Sequence, residues 1–265
     1  PQTVNILPQG QVLKLGSFSV ESVRVSHSIP DATNLIIKTP VGTVYHGSDF
    51  KFDFTPVDGV LPDVIRIGQA GADGVQLLLS DSLGSERRGY TPSEQTLEEM
   101  FEREVSHCDG RFIVTTMSSN ISRLRQAIDA AVRHGRRVAV FGRSIERNLS
   151  VATKLGYLKL PREVMVDSRQ IRRLPPKNVC ILAAGSQGQP GSAMERLATG
   201  EHKDVEISVG DKVVFSSDYI PGTEGATQSL IDALSKRGAT VIYSNITDDL
   251  HVSGHGSQQD HLLMM

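Results

Sequence analysis

The chain has 265 residues, 38% of them hydrophobic, which is enough for one large domain or two ordinary domains that each bury a core. Its 28 basic and 30 acidic residues give a formal net charge of −2, so bulk positive charge does not predict nucleic-acid binding, although a local basic channel is compatible with this balance. No apolar run approaches the ~20 residues of a membrane span, and the start "PQTVNILPQG" lacks the pattern of a secretory signal. We therefore expect a soluble, cytoplasmic protein that has no membrane partner.

Residues 1–88 have the pattern of a β-rich segment. "QVLKLGSFSVESVRVSH" and "TNLIIKTPVGTVYHGSDF" alternate apolar and polar residues around a glycine turn, which predicts antiparallel strands. "GVQLLLSDS" is a continuous apolar run, which is typical of a strand buried on both faces. "TPSE" then predicts a helix start, with Ser93 or Thr91 as its cap.

Residues 89–243 alternate strands with helices. One amphipathic helix is predicted from Asn120 to His134, with Gly135 as its stop. The strings predicted as strands are "RFIVTTM", "RRVAVFG", "NVCILAAG", "DKVVFSS" and "ATVIYS", and those predicted as helices include "SIERNLSVATKLG", "SAMERLATG" and "EGATQSLIDALSKRG". Such alternation predicts a doubly wound, mostly parallel α/β sheet. Residues 244–265 form a third segment, in which a polar loop leads into a short helix.

Three side chains stand just beyond predicted strands. His27 and Asp49 offer the nitrogen and oxygen ligands that suit zinc or manganese, although a surface histidine and a turn-forming aspartate would leave the same spacing. Asp81 ends a predicted buried strand, where a carboxylate is costly unless it has a partner or a task. The alternative for Asp81 is an Asx-type turn or a helix cap.

"HVSGHGS" places His251 and His255 at helical spacing, but its glycines oppose a helix. A loop that exposes backbone N–H groups of Ser253 and Gly254 beside the imidazole of His255 is suited to holding and protonating a phosphate ester. A mobile loop without a function is the alternative interpretation.

The loops after the predicted parallel strands are rich in Ser, Asn, Gly and Gln. Ligands bind outside the carboxyl ends of such strands, so these loops predict a phosphate or nucleotide pocket, with Arg143 as a bidentate partner. Neither a dinucleotide nor a Walker-type motif occurs. Three basic groups are candidates for a polyanion channel, although charge runs are more often solvated faces: Arg87-Arg88, Arg133-Arg136-Arg137 and Arg169-Arg172-Arg173-Lys177.

Together these stretches closely resemble the ribonuclease J family, in the β-CASP branch of the metallo-β-lactamase superfamily. The strings that carry the resemblance are "RVSHSIPDA", "HGSDFKFDFTPVDG", "LLLSDS", "ERRGYTPSE", "GRSIERN", "GYLKLP", "AAGSQGQP", "ATGEH", "IPGTE" and "HVSGHGSQ", in the family's order over nearly the whole chain. The resemblance implies an α/β fold in which part of a metallo-β-lactamase αββα core (1–88 and 244–265) carries an inserted β-CASP domain (89–243).

The resemblance also implies roles for individual residues. His27 falls on the family's single-histidine metal motif and Asp49 on the aspartate that bridges two metal ions, while Asp81 and His255 match two β-CASP motifs, of which His255 is the proton donor to the leaving group. The catalytic set is then His255, Asp81 and Asp49. The residues that the resemblance places around the bound RNA phosphates are Ser119, Asn120, Arg143, Ser144, Ser186, Gln187, Gly188, Ser253, Gly254 and His255.

The implied reaction is hydrolysis of RNA phosphodiester bonds with two Zn²⁺ ions, Mn²⁺ or Mg²⁺ being alternative metals. The substrate is single-stranded RNA with a 5′-monophosphate, cut in the 5′-to-3′ direction with endonucleolytic cutting as well, in rRNA processing and mRNA decay. A homodimer or homotetramer is expected of the full-length protein.

The sequence departs from the family pattern in two ways. The H-x-H-x-D-H motif, which supplies most metal ligands, does not occur, and neither does the P-x-H-G-E-like string of the third β-CASP motif. The chain begins with Pro1 and stops within a helical pattern at "QQDHLLMM", so we interpret it as a fragment. We expect it to have no appreciable nuclease activity alone.

Two other functions fit the same residues. A non-catalytic RNA- or nucleotide-binding module would use the phosphate loops and leave the metal loops vestigial. A small-molecule hydrolase is disfavoured, because the purpose of a β-CASP insertion is to cover a polymer channel.

Overall fold

The computed structural model describes residues 4–161, 163–247 and 249–265. The chain forms two compact units: the first comprises Pro1–Gln95 and Ser253–Met265, and the second comprises Thr96–Val252. The assignment of 1–88, 89–243 and 244–265 to two domains of a known family stays a prediction.

The described part of the chain contains ten strands and eight α-helices. The strands are β1 (Val12–Leu15), β2 (Phe18–Arg24), β3 (Thr33–Thr39), β4 (Gly42–His46), β5 (Leu77–Leu79), β6 (Phe112–Thr115), β7 (Arg137–Phe141), β8 (Val179–Ala183), β9 (Lys212–Phe215) and β10 (Thr240–Ile242). The helices are α1 (Val64–Asp73), α2 (Leu97–Ser106), α3 (Ile121–Arg133), α4 (Arg143–Lys154), α5 (Ser168–Ile171), α6 (Ala193–Thr199), α7 (Glu224–Lys236) and α8 (Gln258–Met264). In the parts of the chain with described structure, no helix is both long and apolar enough to cross a membrane.

The first unit is built on a five-stranded sheet in the order β1-β2-β3-β4-β5. β1 to β4 pair antiparallel, as the alternating sequence pattern predicts, and β4 pairs parallel with β5. One face of this sheet carries the core of the unit, in which Val23, Ile36, Tyr45, Phe50 and Phe52 are buried. α1 covers this core with Ile67 and Ala70, and α8 adds Met264.

The prediction that β5 is buried on both faces is wrong for the described structure. β5 lies at an edge of the sheet, and within the described residues its one partner strand is β4. Leu77 and Leu79 are 49% and 45% exposed, while Leu78 between them packs against the core. A continuous apolar run therefore did not distinguish a central strand from an edge strand with one open face.

The second unit is built on a parallel sheet in the order β10-β9-β6-β8-β7. Alternate residues of each strand face opposite sides: Phe112 and Val114 of β6 belong to one core cluster, and Ile113 between them belongs to the other. α2, α3 and α4 cover the first side, and α6 and α7 cover the second. The predicted doubly wound α/β architecture is confirmed.

The predicted helix starts and stops of this unit are largely those observed. Asn120 is the N-cap of α3, where its side-chain oxygen accepts the backbone N–H of Arg123, and Gly135 follows with φ +69°. The prediction for "TPSE" was only partly right, because a 3₁₀ turn (Glu94–Thr96) precedes α2. Ser93 Oγ accepts the backbone N–H of Gln95 there, whereas Thr91 does not cap the helix.

Candidate metal centre and phosphate pocket

Strand direction brings three of the predicted site residues to one edge of the first unit. β2 and β4 each run antiparallel to β3, and β5 runs parallel to β4, so β2, β4 and β5 share one direction. His27 follows the carboxyl end of β2, Asp49 that of β4, and Asp81 that of β5. The three side chains are therefore delivered to the same edge of the sheet from separate loops.

His27, Asp49 and His255 form a cluster with the geometry of a metal site. Each residue offers one ligand atom, and these three atoms lie within 4.8 Å of one another. His27 Nε2 lies 3.6 Å from an Asp49 carboxylate oxygen, and the two imidazole rings pack edge to face with centroids 5.1 Å apart. Two imidazoles and a carboxylate are a donor set that zinc accepts.

The tautomer of His27 is determined by the loop that carries Gly254. His27 Nδ1 lies 2.7 Å from the Gly254 carbonyl oxygen, which can only accept a hydrogen bond, so the neutral ring carries its proton on Nδ1. The lone pair of Nε2 then points towards Asp49, with the Ser28 hydroxyl 3.2 Å away. Burial lowers the pKa of His27 despite the Gly254 carbonyl, which favours the neutral form that binds metals.

Asp81 forms the Asx-type turn and also has a side-chain partner, the two alternatives that the sequence left open. Its Oδ1 accepts the backbone N–H of Leu83 at 2.9 Å, which is the Asx-type turn. Its Oδ2 lies 2.7 Å from His255 Nδ1, so the carboxylate also has a partner. The Asp81 side chain is only 9% exposed, and this pair accounts for a nearly buried carboxylate.

Asp260 anchors the loop that carries His255, and the sequence analysis missed it. Its fully buried carboxylate accepts three backbone N–H groups, from Phe52 at 3.0 Å, Thr91 at 2.8 Å and Ser257 at 2.9 Å. The Thr91 hydroxyl in turn donates to the His255 carbonyl at 2.8 Å. The S-x-x-D spacing of Ser257 and Asp260, a capping-box pattern before an apolar run, was the available signal.

The first histidine of "HVSGHGS", His251, has a different partner from His255. His251 belongs to the second unit, where the buried guanidinium of Arg123 donates to its Nδ1 at 2.6 Å. As predicted, this stretch is not helical. Ser253 and Gly254 both support the site loop, since the Ser253 hydroxyl accepts the His255 N–H at 3.0 Å and Gly254 contacts His27.

A cavity of about 610 Å³ opens at the carboxyl ends of β6, β7 and β8 in the second unit. Its lining includes Arg143, Ser144 and Ser186 of the predicted phosphate residues. Arg143 and Ser144 are exposed, and Arg143 forms no hydrogen bond or ion pair within the described part of the chain. The remaining lining residues are Thr116, Met117, Ser118, Gly142, Glu146, Ala184, Gly185, Gln189, Pro190, Gly191, Ser192, Ala193 and Arg196. Arg196 and Gln189 were not singled out from the sequence.

Four predicted phosphate residues of the second unit do not line this cavity: Ser119, Asn120, Gln187 and Gly188. The Asn120 side chain caps α3, and the Gln187 carboxamide is buried and bonded to the backbones of Asp218 and Ile220 and to the Thr223 hydroxyl. Gly188 has φ +67°, and a Cβ there would lie 2.8 Å from the Ala226 backbone. Asn120, Gln187 and Gly188 therefore have local tasks in shaping the loops.

The fold of the second unit has a counterpart among protein families. Residues 109–234 match the family model described as "Ribonuclease J, beta-CASP domain", so this unit contains a β-CASP domain within a mixed α/β chain. A crystal structure of an Enterococcus faecalis protein of unknown function has the same fold over 97% of this chain and 58% of its own, with a TM-score of 0.68 and 16% sequence identity.

Sequence similarity extends beyond that domain. The chain is 41% identical over 253 residues to ribonuclease J of Helicobacter pylori J99, which covers 96% of the chain and 36% of the relative. It is 42% identical to ribonuclease J of Thermus thermophilus, in a match that covers 94% of this chain and 43% of the relative. It is 38% identical to ribonuclease J 1 of Streptococcus pyogenes, in a match that covers 99% of this chain and 47% of the relative. The chain is therefore a homologue of ribonuclease J along almost its whole length, and it spans less than half the length of these curated relatives.

Proposed function

We propose that this chain is the part of a metal-dependent ribonuclease that supplies one histidine and one aspartate ligand, the proton donor, and a phosphate-binding domain. The observation that carries the proposal is the convergence of His27, Asp49 and His255 within 4.8 Å, with Asp81 bonded to His255. Similarity to proteins named ribonuclease J supports RNA as the substrate.

His27 and Asp49 are proposed to hold the metal. The Gly254 carbonyl fixes the His27 proton on Nδ1, so Nε2 is available as a ligand without any change of tautomer. Bound zinc supplies a hydroxide nucleophile near neutral pH and neutralises charge on phosphate oxygens. Zinc is the preferred candidate because nitrogen and carboxylate ligands meet here, with Mn²⁺ and Mg²⁺ as alternatives.

His255 is proposed to protonate the leaving oxygen. Its Nδ1–H is held by Asp81, and its Nε2 forms no hydrogen bond within the described residues, so Nε2–H of the imidazolium is the proton that can be given up. The Asp81 carboxylate accepts the Nδ1–H of His255 and keeps the ring oriented. His255 also lies close enough to act as a ligand, but one Nε2 atom cannot do both at once.

The cavity at β6, β7 and β8 is proposed to hold the 5′-monophosphate or the first nucleotides. The exposed guanidinium of Arg143 provides two parallel N–H donors, and the N-terminal end of α4 presents free backbone N–H groups beside it. Ser144 and Ser186 add hydroxyl groups to the lining. A phosphate site of this kind is compatible with cutting from the 5′ end. Additional endonucleolytic cutting, action in rRNA processing and mRNA decay in the cytoplasm, and assembly of the full-length protein as a homodimer or homotetramer are proposed only from the resemblance to the ribonuclease J family.

Metal binding by the 265-residue chain tests the site directly. We expect the chain to bind zinc, measured by titration calorimetry, and His27→Ala and Asp49→Ala to weaken that binding at least tenfold, since first-row metal sites lose affinity steeply when ligands or their supports are removed. The control His134→Ala removes a histidine that pairs with Glu102 on the surface of the second unit. Equal zinc binding by all four proteins would contradict the proposal.

RNA cleavage separates an enzyme from a non-catalytic binding module. We expect a protein that carries this chain together with the H-x-H-x-D-H string to degrade 5′-monophosphorylated RNA, and the 265-residue chain alone to leave it intact. Binding of RNA without cleavage by the longer protein would favour the non-catalytic module.

A further inference from the structure

Two of the three basic groups singled out in the sequence, those that contain Arg133 and Arg169, have different structural roles. Arg136 is 5% exposed and donates to the carbonyl groups of Gly110, Val179 and Cys108, so it stabilises the interior of the second unit and is not available to a ligand. Arg133 pairs with Glu98 and Glu102, which both lie on α2. The third group, around Arg169, contributes to a cleft.

This cleft has a volume of about 390 Å³ and lies in the second unit. It is lined by Ser168, Arg169, Arg172, Arg173, Lys203 and Asp204. It shares no lining residue with the cavity at β6, β7 and β8. Four of its six lining residues are cationic, and one is acidic.

The acidic residue is neutralised within the cleft. Asp204 has a side chain only 7% exposed, and its Oδ1 lies 2.6 Å from Arg172 Nη2. The same guanidinium group donates to the Lys203 carbonyl oxygen. Arg172 is therefore used to fix the loop at Lys203 and Asp204 against α5.

Three cations remain available to a ligand. The side chains of Arg169, Arg173 and Lys203 are exposed, and none forms a hydrogen bond or ion pair within the described part of the chain. Because Arg172 and Asp204 fix the two segments, these cations are held around one cleft instead of being scattered over the surface. Like charges held together repel one another, and a polyanion relieves this repulsion.

We propose that this cleft is a second, sequence-independent contact for single-stranded RNA, one that grips the sugar-phosphate backbone. Arginine binds phosphate oxygens through two parallel N–H donors, and lysine does so as a point charge. Among the described residues that line the cleft, none has an aromatic or carboxamide side chain that would stack on or read a base, which favours the backbone over the bases. The choice of RNA among polyanions rests on the function proposed above.

Binding of a fluorescently labelled oligouridylate by the 265-residue chain, in chelator and without metal, tests this contact. We expect R169A/R173A/K203A to weaken binding and to make the slope of log K against log salt shallower by about 2, since each neutralised phosphate of a single strand contributes roughly 0.7. When salt rises about fourfold, from ~50 to ~200 mM, the triple variant should therefore lose about 20-fold less affinity than the unaltered chain. The charge-conserving R169K/R173K/K203R should retain most of the affinity.

The matched control K14A/K154A/K236A removes the same charge from exposed lysines outside the cleft. Equal weakening by control and cleft variants would mean that net charge alone acts, and would overturn the proposal. Competition by uridine monophosphate as strong as that by the oligomer would also overturn it, because the cleft would then hold a single nucleotide. The measurement involves no metal and no cleavage, so its failure is distinct from failure of the metal site.

Discussion

His255 and Asp81 are joined by a hydrogen bond of 2.7 Å between Nδ1 and Oδ2, although 174 positions separate them in the chain. A carboxylate accepts only, so the imidazole proton lies on Nδ1, and Nε2 is the atom left for chemistry. The second carboxylate oxygen of Asp81 is held by the Leu83 N–H, which prevents the group from rotating away. The pair therefore positions one nitrogen of His255 beside His27 and Asp49.

His255→Ala separates the role of proton donor from the role of ligand. In a protein that also supplies the H-x-H-x-D-H string, we expect the zinc content to persist and the chemical step to slow by ~10²–10⁴-fold, the usual range for a lost general acid. Single-turnover RNA cleavage and metal analysis of the same sample measure the two quantities. Loss of zinc equal to that of Asp49→Ala would instead assign His255 as a ligand.

In the same longer protein, Asp49→Ala is expected to remove zinc and activity together. Its carboxylate is 60% exposed and faces His27 Nε2, so it has no role in the core that would confuse the result. Atomic emission analysis of the purified variant measures bound zinc, and thermal unfolding checks that the fold is retained. An unchanged zinc content would show that the metal binds elsewhere.

Gly254→Ala tests whether the support of His27 matters. A Cβ at this position would lie 2.8 Å from both Cε1 and Nδ1 of His27 and 2.9 Å from Ser28 Oγ, so the ring must move. We expect zinc affinity to fall by about 10- to 100-fold, as is usual when the hydrogen-bond partner of a ligand is disturbed. Gly68→Ala is the control, because it has open space in α1 and should stabilise the helix slightly. An unchanged zinc affinity in Gly254→Ala would contradict this role.

Asp260→Asn is expected to lower the free energy of unfolding by about 3 kcal/mol, because a carboxamide cannot accept all three buried backbone N–H groups. Urea denaturation followed by circular dichroism gives this value. The exposed Asp109→Asn should change it by less than about 0.5 kcal/mol. A similar small effect at Asp260 would mean that the loop is held by other contacts.

Glu21 makes the stability of the first unit depend on pH. Its two hydrogen bonds from Arg66, at 2.6 and 2.7 Å, hold the pKa of this carboxyl group below its ordinary value. The stabilisation is therefore complete above pH ~4.5 and disappears as the pH falls through the lowered pKa. We expect Glu21→Gln to cost about 1–2 kcal/mol at pH 7 and nothing in strong acid, by urea denaturation at both pH values. Asp129→Asn, in an exposed pair with Arg125, should show almost no cost at either pH.

The architecture could be predicted from the sequence where local patterns dominate. The alternation of strands and helices in the second unit gave both the parallel sheet and its two helical layers, and Asn120 with Gly135 marked the ends of α3. The same patterns failed at β5, because a run of leucines does not show which face another element covers.

The residues of the candidate site could be predicted from the sequence, but the hydrogen bonds that hold them in place could not. His27, Asp49 and His255 were named from position and resemblance, whereas the Gly254 carbonyl and the Asp260 anchor depend on contacts between distant segments. Asn120 and Gln187 were expected around phosphate because of the resemblance and because their loops are rich in Ser, Asn, Gly and Gln. Whether an amide faces a ligand or its own backbone is settled by packing, which a single sequence does not reveal.

The hydrogen bonds that close the first unit join residues on either side of the whole second unit. His27 meets Gly254 across 227 positions, and Phe52 meets Asp260 across 208. Forming contacts between such distant positions costs the entropy of closing a long loop, so these contacts form late when proteins fold. The paired strands of the second unit are separated by at most 100 positions, as Phe112 and Lys212 are, so this unit is expected to form before those contacts and to shorten that loop. Substitutions that slow its folding would then delay the appearance of metal binding, even though they leave His27 and Asp49 untouched.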